Sequence, residues 1–465
     1  MVFSSRLPDD LSENRLSRRV RELCAAGTPL LDLTLSNPTH AGFHYPAEEL
    51  REAFARAADG TYEPHPRGLR IAREAIARYY GEERSGAEAA ARSDAARSDA
   101  LQRAEGEEAS GSGFPIDPEH LHCTASSSEA YSMLFKLLCD PGDEICIPLP
   151  AYPLFSWLAA LDAVTVRPYN LRLAPNGHWQ IDMHSLDMAM SARTRAVIVV
   201  NPSNPAANYL RPEELAQLDS LCARNRVALV TDEVFWDFPL REFRAAGNGS
   251  GISMDGERKA GKLGGKTDAP DGKTDAPGGG EIGTDAIGIA ITRQRTAGIA
   301  GEALRFTING FSKLLALPQM KLGWILTEGS PRLRDEALAR LDVIADSYLS
   351  VGTPVMAAAP ALLELRENIQ SQIRARCLRN LRTTTELLGD HSSGGLLLQP
   401  EGGWNALITL PDDADEEAIS LRLLEEHRVL VHPGYLFDFA RGKYLVVSLL
   451  GNEFISTIRN FPICW

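Results

Sequence analysis

The 465-residue sequence is poor in cysteine and has no long apolar run. Its seven cysteines are an odd number without a Cys-x-x-Cys pair, which favours free thiols in a reducing cytosol over a disulfide framework. No apolar run approaches the ~20 residues that a membrane-spanning helix needs. The N-terminal residues include acidic side chains and no apolar core segment, so we expect no secretory signal and predict a cytoplasmic protein with no membrane partner.

Basic residues are also in deficit. Lys plus Arg number 48 against 62 for Asp plus Glu, a net charge of −14, so the chain is a poor electrostatic partner for nucleic acid. What is present is a 44% hydrophobic composition and enough length for two or three domains of roughly 100–200 residues, each with a sizeable core. This composition indicates a multi-domain globular protein and favours an enzyme.

Two segments lack the composition of a folded core. Residues 85–113 contain a tandem ARSDA repeat, and residues 246–288 repeat GKTDAP and are rich in Gly, Lys and Asp. Such segments bury too little apolar surface to offset their ordering entropy. We therefore predict that both are disordered surface insertions.

The rest of the chain alternates between helical and strand patterns. A helix is predicted from Ser127 to Leu138, and short apolar runs follow at 196–200, 227–231, 305–308 and 322–326, with a helical segment at 212–225. Continuous short apolar runs are typical of strands buried on both faces of a parallel sheet. The pattern predicts a doubly wound α/β fold, and from about residue 330 a smaller α+β domain.

Polar side chains follow several of these strands. Asn204 follows the run at 196–200, Asp232 follows 227–231 and Lys313 follows 305–308, while Ser126 precedes the helix that begins at Ser127. In an open α/β sheet, ligands bind beyond the carboxyl ends of the strands. We therefore expect these groups to converge on one binding site, and we predict no metal site.

In these residues and their spacing the sequence resembles the fold-type I aminotransferases of the class I/II, aspartate aminotransferase-like group, which use pyridoxal 5'-phosphate (PLP). The matching segments lie at 62–80, 124–131, 148–153, 201–205, 231–235 and 311–324. The resemblance implies a large domain with a mainly parallel seven-stranded sheet flanked by helices. It also implies a division into an N-terminal arm with part of the small domain (1–50), the PLP-binding domain (51–329) and the small domain (330–465).

By the same resemblance, Lys313 is the lysine that forms the Schiff base with PLP and then carries the proton between the substrate and the cofactor. Asp232 is the carboxylate that pairs with the protonated pyridine nitrogen and keeps the ring an electron sink. Asn204 resembles the asparagine that donates a hydrogen bond to the ring oxygen of PLP.

The resemblance also identifies groups for the cofactor phosphate. Ser126 and Ser127 open a helix whose free N–H groups favour an anion, and Ser312 and Lys321 complete the set. The family commonly has Arg where this chain has Lys321, so the bidentate fork is lost. It often has Ser where this chain has Gly310, so one hydroxyl is missing.

Two tyrosines match further family positions. Tyr152 resembles the aromatic residue that stacks on the pyridine ring. Tyr62 matches the tyrosine that reaches the PLP phosphate of the neighbouring subunit, although this chain has an extra residue between Pro64 and Gly68. The match implies a homodimer with shared active sites.

Two other departures concern chemistry. Phe235 replaces a tyrosine that bonds the ring oxygen. Val446 stands where the family typically has the arginine that grips the substrate α-carboxylate. Either Arg441 or Lys443 substitutes for that arginine, or the substrate is held differently.

The predicted function is a PLP-dependent transfer of an amino group from an amino acid or amine donor to a 2-oxo acid acceptor. Two alternatives stay open at this stage. One is a β-eliminating enzyme such as a C–S lyase, which would share Lys313 and Asp232. The other is a PLP-binding regulatory module without turnover, which the complete Lys–Asp–Asn set and the absence of a basic segment before the fold disfavour.

Overall fold

A computed structural model describes residues 3–8, 10–57, 62–82, 116–175, 177–241, 293–388 and 396–452. Both predicted insertions, 85–113 and 246–288, lie outside the described residues. Among the described residues, no helix has the length and apolar character needed to cross a membrane.

Within the described chain, helices contain more residues than strands do. In order they are α1 Arg15–Ala25, α2 Ala47–Arg56, α3 70–82, α4 Ser127–Leu138, α5 Leu154–Leu161, α6 Met183–Ala189, α7 Pro212–Asn225, α8 Phe311–Leu314, α9 Pro331–Asp346, α10 Thr353–Glu364, α11 Arg366–Leu388 and α12 Glu416–His427. The bounds of α4 agree with the helix predicted from the sequence.

The strands are short. They are β1 Leu31–Asp32, β2 Leu121–Thr124, β3 Glu144–Leu149, β4 Thr165–Leu173, β5 Trp179–Ile181, β6 Thr194–Val200, β7 Ala228–Asp232, β8 Arg305–Gly310, β9 Gly323–Glu328, β10 Leu397–Leu398, β11 Asn405–Leu410, β12 Val429–Leu430, β13 His432–Pro433 and β14 Lys443–Ser448. Each of the four apolar runs predicted to be strands lies within or overlaps one of them.

The larger sheet has the order β2-β9-β8-β7-β6-β3-β4-β5. Strands β4, β3, β6, β7 and β8 are parallel, and the pairings of β9 with β8 and β2 are antiparallel. The described residues thus form eight strands rather than seven. The additional strand, β5, pairs antiparallel with the end of β4 as a hairpin edge, a pairing that the apolar runs did not indicate.

Apolar clusters cover both faces of this sheet. On one face α4, α5 and α9 pack against alternate residues of β3, β6, β7 and β8. On the other face α6 and α7 pack against the intervening residues. Because side chains of a strand alternate between faces, every residue of β7 and of β8 is buried. The predicted α/β class is confirmed.

A second, antiparallel sheet has the order β10-β11-β14-β13. One of its faces packs against α11, where Ile369, Ile373 and Cys377 contact β11 and β14 residues. The opposite face, including Leu407 and Val446, joins the apolar cluster of the larger sheet. Strand β11 therefore lies between α11 and the carboxyl-end loops of the large sheet.

Candidate active site

Lys313 lies at the carboxyl end of β8, on the single turn of α8. Its Nζ is 5.3 Å from the centroid of the Phe235 ring and 4.8 Å from that of the Trp404 ring. Burial lowers the pKa of Lys313 to about 8, and the nearby charge of Asp232 opposes this shift. A larger fraction of this amine is therefore unprotonated near neutral pH than in an exposed lysine, as a nucleophile that attacks a carbonyl requires.

Asp232 ends the neighbouring strand β7, where it pairs in register with Ile308 of β8. Its Oδ1 accepts a hydrogen bond from Val234 N at 3.0 Å, and its Oδ2 accepts one from Tyr131 Oη at 3.0 Å. Burial raises the pKa of Asp232 to about 6, while these two donors and the charge of Lys313 lower it. The carboxylate is thus fixed in orientation and shares an electrostatic environment with Lys313.

Asn204 lies in the loop that follows β6 and is joined to the same cluster from another direction. Its Oδ1 accepts a hydrogen bond from Asn405 Nδ2 at 2.8 Å. Asn405 begins β11 and follows Trp404, whose ring faces Lys313. Asp232 acts on the charge of Lys313, and Asn405 and Trp404 link Asn204 to the surroundings of the same lysine.

The hydroxyl-rich helix start meets α8 at the same edge. Thr124 of β2 pairs with Gly323 of β9, which pairs with Gly310 of β8, so α4 and α8 begin beside each other. The Oγ of Ser126 accepts a hydrogen bond from Glu129 N at 3.2 Å and caps α4. This arrangement leaves other N–H groups of the first turn for an anion.

A steric constraint explains why residue 310 is glycine. A Cβ atom at this position would lie 2.9 Å from Gly323 Cα and 3.0 Å from Leu322 O, because β8 and β9 approach closely. The serine that the family often has here does not fit this backbone. The close approach of β8 and β9 therefore explains why position 310 has no serine hydroxyl to offer the phosphate.

Three predicted site residues are exposed instead of packed into the cluster. Tyr62 is 68% exposed, Tyr152 is 50% exposed and Lys321 is also exposed. Within the described part of the chain, none of their side chains forms a hydrogen bond to Lys313, Asp232 or Asn204.

The extra residue near Tyr62 is accommodated by a turn. Gly68 N donates to His65 O at 2.9 Å, and Gly68 has a φ of +82°, which suits glycine. The Arg67 guanidinium holds this turn with paired hydrogen bonds of 2.7 Å to both carboxylate oxygens of Asp342. Tyr62 thus projects from a well-anchored loop.

Val446 points toward the larger sheet but offers no charge. It pairs with Leu407 on β11 and with His432 on β13, and it is 1% exposed. Lys443 begins the same strand at its far end, and the alternation of a strand places its side chain on the opposite face. Arg441 precedes it in an exposed loop. Neither cation is therefore placed to substitute at Val446, and the alternative that the substrate is held differently is favoured.

Sequence reasoning missed three residues of this cluster. Tyr131 lies one turn after Ser127 on α4, so helical spacing from the predicted phosphate site could have indicated it. Trp404 and Asn405 follow a Gly-Gly pair at the start of β11. No local pattern could place them beside residues about 90 to 200 positions earlier in the chain.

These groups match the functional groups of PLP in kind. The buried amine of Lys313 suits an aldehyde, and the buried carboxylate of Asp232 suits a ring nitrogen. The amide of Asn204 suits a ring oxygen, and the N-terminus of the 12-residue helix α4 suits a phosphate. Within the described residues, no group of three or more His, Cys, Asp or Glu side chains is arranged to hold a metal ion.

Known proteins resemble this chain along most of its length. The family model "Aminotransferase class I and II" matches residues 28–445. Alanine aminotransferase of Mycobacterium tuberculosis is 23% identical over 451 residues, 95% of this chain and 87% of that protein.

Solved structures show the same fold. An aminotransferase from Escherichia coli superimposes with a TM-score of 0.73 at 18% identity, covering 99% of this chain and 97% of that one. Alanine aminotransferase from Pyrococcus furiosus gives a TM-score of 0.72 at 18% identity, covering 96% and 94%. The chain therefore belongs to the class I and II aminotransferases, PLP-dependent enzymes of fold type I.

Proposed function

We propose that this enzyme transfers an amino group between an amino acid or amine donor and a 2-oxo acid, with Lys313 as the residue that holds PLP covalently and moves the proton. When bound, PLP supplies an electron sink that stabilises the charge left on the substrate carbon after proton loss. The Lys313 amine, when it is not attached to PLP, would be the base that takes this proton from the substrate carbon and delivers it to a carbon of the cofactor.

The observation that carries this proposal is that Asp232, at the end of β7, and Lys313, on the α8 turn after the adjacent strand β8, influence each other's charge. Burial lowers the pKa of the amine to about 8 and raises that of the acid to about 6, so both lie within two units of neutrality. Tyr131 and Val234 hold the Asp232 carboxylate so that it can face a cationic ring nitrogen. Perturbed groups that converge in this way are typical of catalytic sites.

We assign the remaining cofactor contacts by position. Asn204 would bind the ring oxygen and Tyr152 would stack on the ring. The phosphate would contact side chains and free N–H groups around the starts of α4 and α8, namely Ser126, Ser127, Ser312 and Lys321. The helix start and the pairing of Gly310 with Gly323 support this last assignment.

We further propose a cytoplasmic homodimer in which Tyr62 completes the partner's phosphate site. Its support is the exposed ring on a turn anchored by Arg67 and Asp342, together with an odd number of cysteines suited to a reducing compartment. The proposed domains are 1–50 with 330–465, and 51–329. The pairing of β1 with β12 supports the inclusion of the N-terminal arm in the smaller unit.

For substrates we propose L-alanine as the first donor to test, with a panel of 2-oxo acids as acceptors, because two of the similar proteins are named alanine aminotransferases. The apolar surroundings of Val446 predict weak binding of the donor's carboxylate and hence a high KM. Amines that lack this carboxylate should accordingly be included in the donor screen.

The experiment has two stages. Borohydride reduction of the PLP-loaded enzyme followed by peptide mapping should label Lys313. A donor screen then follows conversion of the cofactor to its amine form. That conversion supports the proposal, whereas ammonia plus an oxo acid indicates elimination. A cofactor that stays unchanged with every donor indicates a binding module and overturns the proposed activity.

A further inference from the structure

The contact between Asn204 and Asn405 joins the two sheets of the molecule at the candidate site. Asn204 belongs to a loop of the eight-stranded sheet, and Asn405 is the first residue of β11 in the four-stranded sheet. Their side chains are linked by the 2.8 Å hydrogen bond from Asn405 Nδ2 to Asn204 Oδ1. An amide whose oxygen is engaged in this way directs its NH2 group elsewhere.

The chain holds Asn405 firmly on the side of the large sheet. Immediately before it, Glu401 N and Gly402 N donate to Ala207 O at 2.9 and 3.1 Å, and Gly403 N donates to Phe238 O at 2.9 Å. A Cβ atom at Gly402 would overlap the Tyr209 ring, so the segment passes directly over that side chain.

The other side of Asn405 is held by the smaller sheet. Asn405 pairs with Ser448 of β14, and Leu449 N donates to Trp404 O at 2.7 Å. Ser448 in turn donates through Oγ to Leu35 O at 2.5 Å. Asn405 is thus a preorganised donor whose position does not depend on its bond to Asn204.

Orientation of the Asn204 amide matters more in this chain because Phe235, beside Lys313, has no hydroxyl group. We propose that Asn405 is a positioning residue: by binding Asn204 Oδ1 it presents Asn204 Nδ2 to the ring oxygen of PLP and so sets the proton affinity of the bound chromophore. This inference rests on the proposed role of Asn204. Donation to the oxygen in its ionised form stabilises that form and keeps the chromophore pKa low.

The test is the absorbance of the bound cofactor as a function of pH in two variants. Asn405→Leu removes the donor but keeps the branching of the side chain, so the Asn204 amide loses its preferred orientation. We expect the chromophore pKa to rise by about one unit, a tenfold change. Asn405→Asp replaces the donor with an acceptor. The Asn204 amide then turns its NH2 toward residue 405 and its oxygen toward the ring, and the pKa should rise further.

Two reference variants separate the possible outcomes. Asn204→Leu should raise the chromophore pKa by itself; if it does not, the proposed cofactor contact of Asn204 is wrong. Asn380→Leu removes the buried amide that donates to Leu449 O and Gly451 O, and it reports general loosening of the smaller sheet. It should lower the Tm with no shift of the chromophore pKa.

The order wild type, then Asn405→Leu, then Asn405→Asp in rising pKa supports the positioning role. Equal pKa values in the three proteins, with a response to Asn204→Leu retained, would overturn it while leaving the proposed function intact. A shift in Asn380→Leu as large as that in Asn405→Leu would also overturn it, because the effect would then come from loosening alone. Equilibrium binding of PLP, which should weaken in the same order, provides a second readout.

Discussion

The two ends of the candidate site differ in how the chain builds them. Lys313 and Asp232 are both buried and shifted in pKa, and two hydrogen bonds orient the Asp232 carboxylate. Toward the phosphate and carboxylate ends, Lys321 is exposed and Val446 is packed among apolar residues. The chain therefore keeps the two groups to which we assign the chemistry, while its outer contacts depart from the family pattern. We expect substitutions at the buried end to slow the chemical step strongly. Substitutions at the outer end should change the affinity for PLP or substrate only modestly.

The most damaging change at the buried end should be Lys313→Ala. It removes the amine that the proposal makes both the attachment point and the proton carrier, so single-turnover conversion of the cofactor by an amino donor should fall by about 10⁴-fold or more. Lys136→Ala, which removes a surface ion pair with Asp162, is the control and should retain activity. Normal turnover in Lys313→Ala with an unchanged Tm would remove the basis of the assignment.

Asp232→Asn should follow, with proton abstraction slowed by about 10³-fold, since a neutral amide cannot stabilise a cationic ring nitrogen. The cofactor should still bind, as its absorbance would show. Tyr131→Phe sharpens this test because it leaves the carboxylate in place and removes one donor that favours its charged form. The pKa of Asp232 should then rise, the acidic limb of the rate profile should move to higher pH, and the rate loss should be only about tenfold. Equal losses in both variants would contradict the charge-based role.

The buried end also predicts a pH dependence in the apoenzyme. Lys313 has a lowered pKa of about 8, so its unprotonated fraction decreases about tenfold per unit below that value and levels off above it. The rate of PLP capture, measured by stopped-flow absorbance, should follow the same curve between pH 6.5 and 9. A rate that keeps rising toward pH 10 would mean an ordinary, solvated lysine.

The sequence located the residues of the buried end better than those of the outer end, because a local sequence pattern marks the buried residues. Asp232 and Lys313 each follow a recognisable apolar strand, so the rule that ligands bind beyond strand ends locates them without further information. Asn405 owes its role to a contact 201 positions away, and no periodicity encodes that.

Steric and register effects were also outside the reach of the sequence. From the sequence, Gly310 indicated only the loss of a serine hydroxyl, whereas the structure shows that β8 and β9 approach closely at this residue. Arg441 and Lys443 lie close to Val446 along the chain, but only the pairing of β14 with β11 reveals that Lys443 lies on the opposite face.

At the outer end, Gly310→Ser tests whether the missing hydroxyl can be restored. The added Cβ meets Gly323 Cα at 2.9 Å, so we expect a loss of about 1–3 kcal/mol in the free energy of unfolding and no gain in PLP affinity. Gly81→Ser is the matched control, because nothing in the described residues lies within 4 Å of a Cβ built there. Chemical denaturation and PLP titration distinguish the two. A tighter, equally stable Gly310→Ser enzyme would show that the strands separate easily.

Lys321→Arg should have the smallest effect, in the opposite direction. Lys321 sits beside the junction of β9 with α8 and is exposed, so water screens its charge and a point contact with phosphate gains little. A guanidinium adds a second, parallel hydrogen bond of about 1.4 kcal/mol at most, so PLP should bind up to about tenfold more tightly with kcat unchanged. Lys136→Arg, on the far end of α4, should leave the affinity unaltered. A change in kcat as large as the change in affinity would mean that the outer contacts also orient the reacting ring, and the distinction between the two ends of the site would fail.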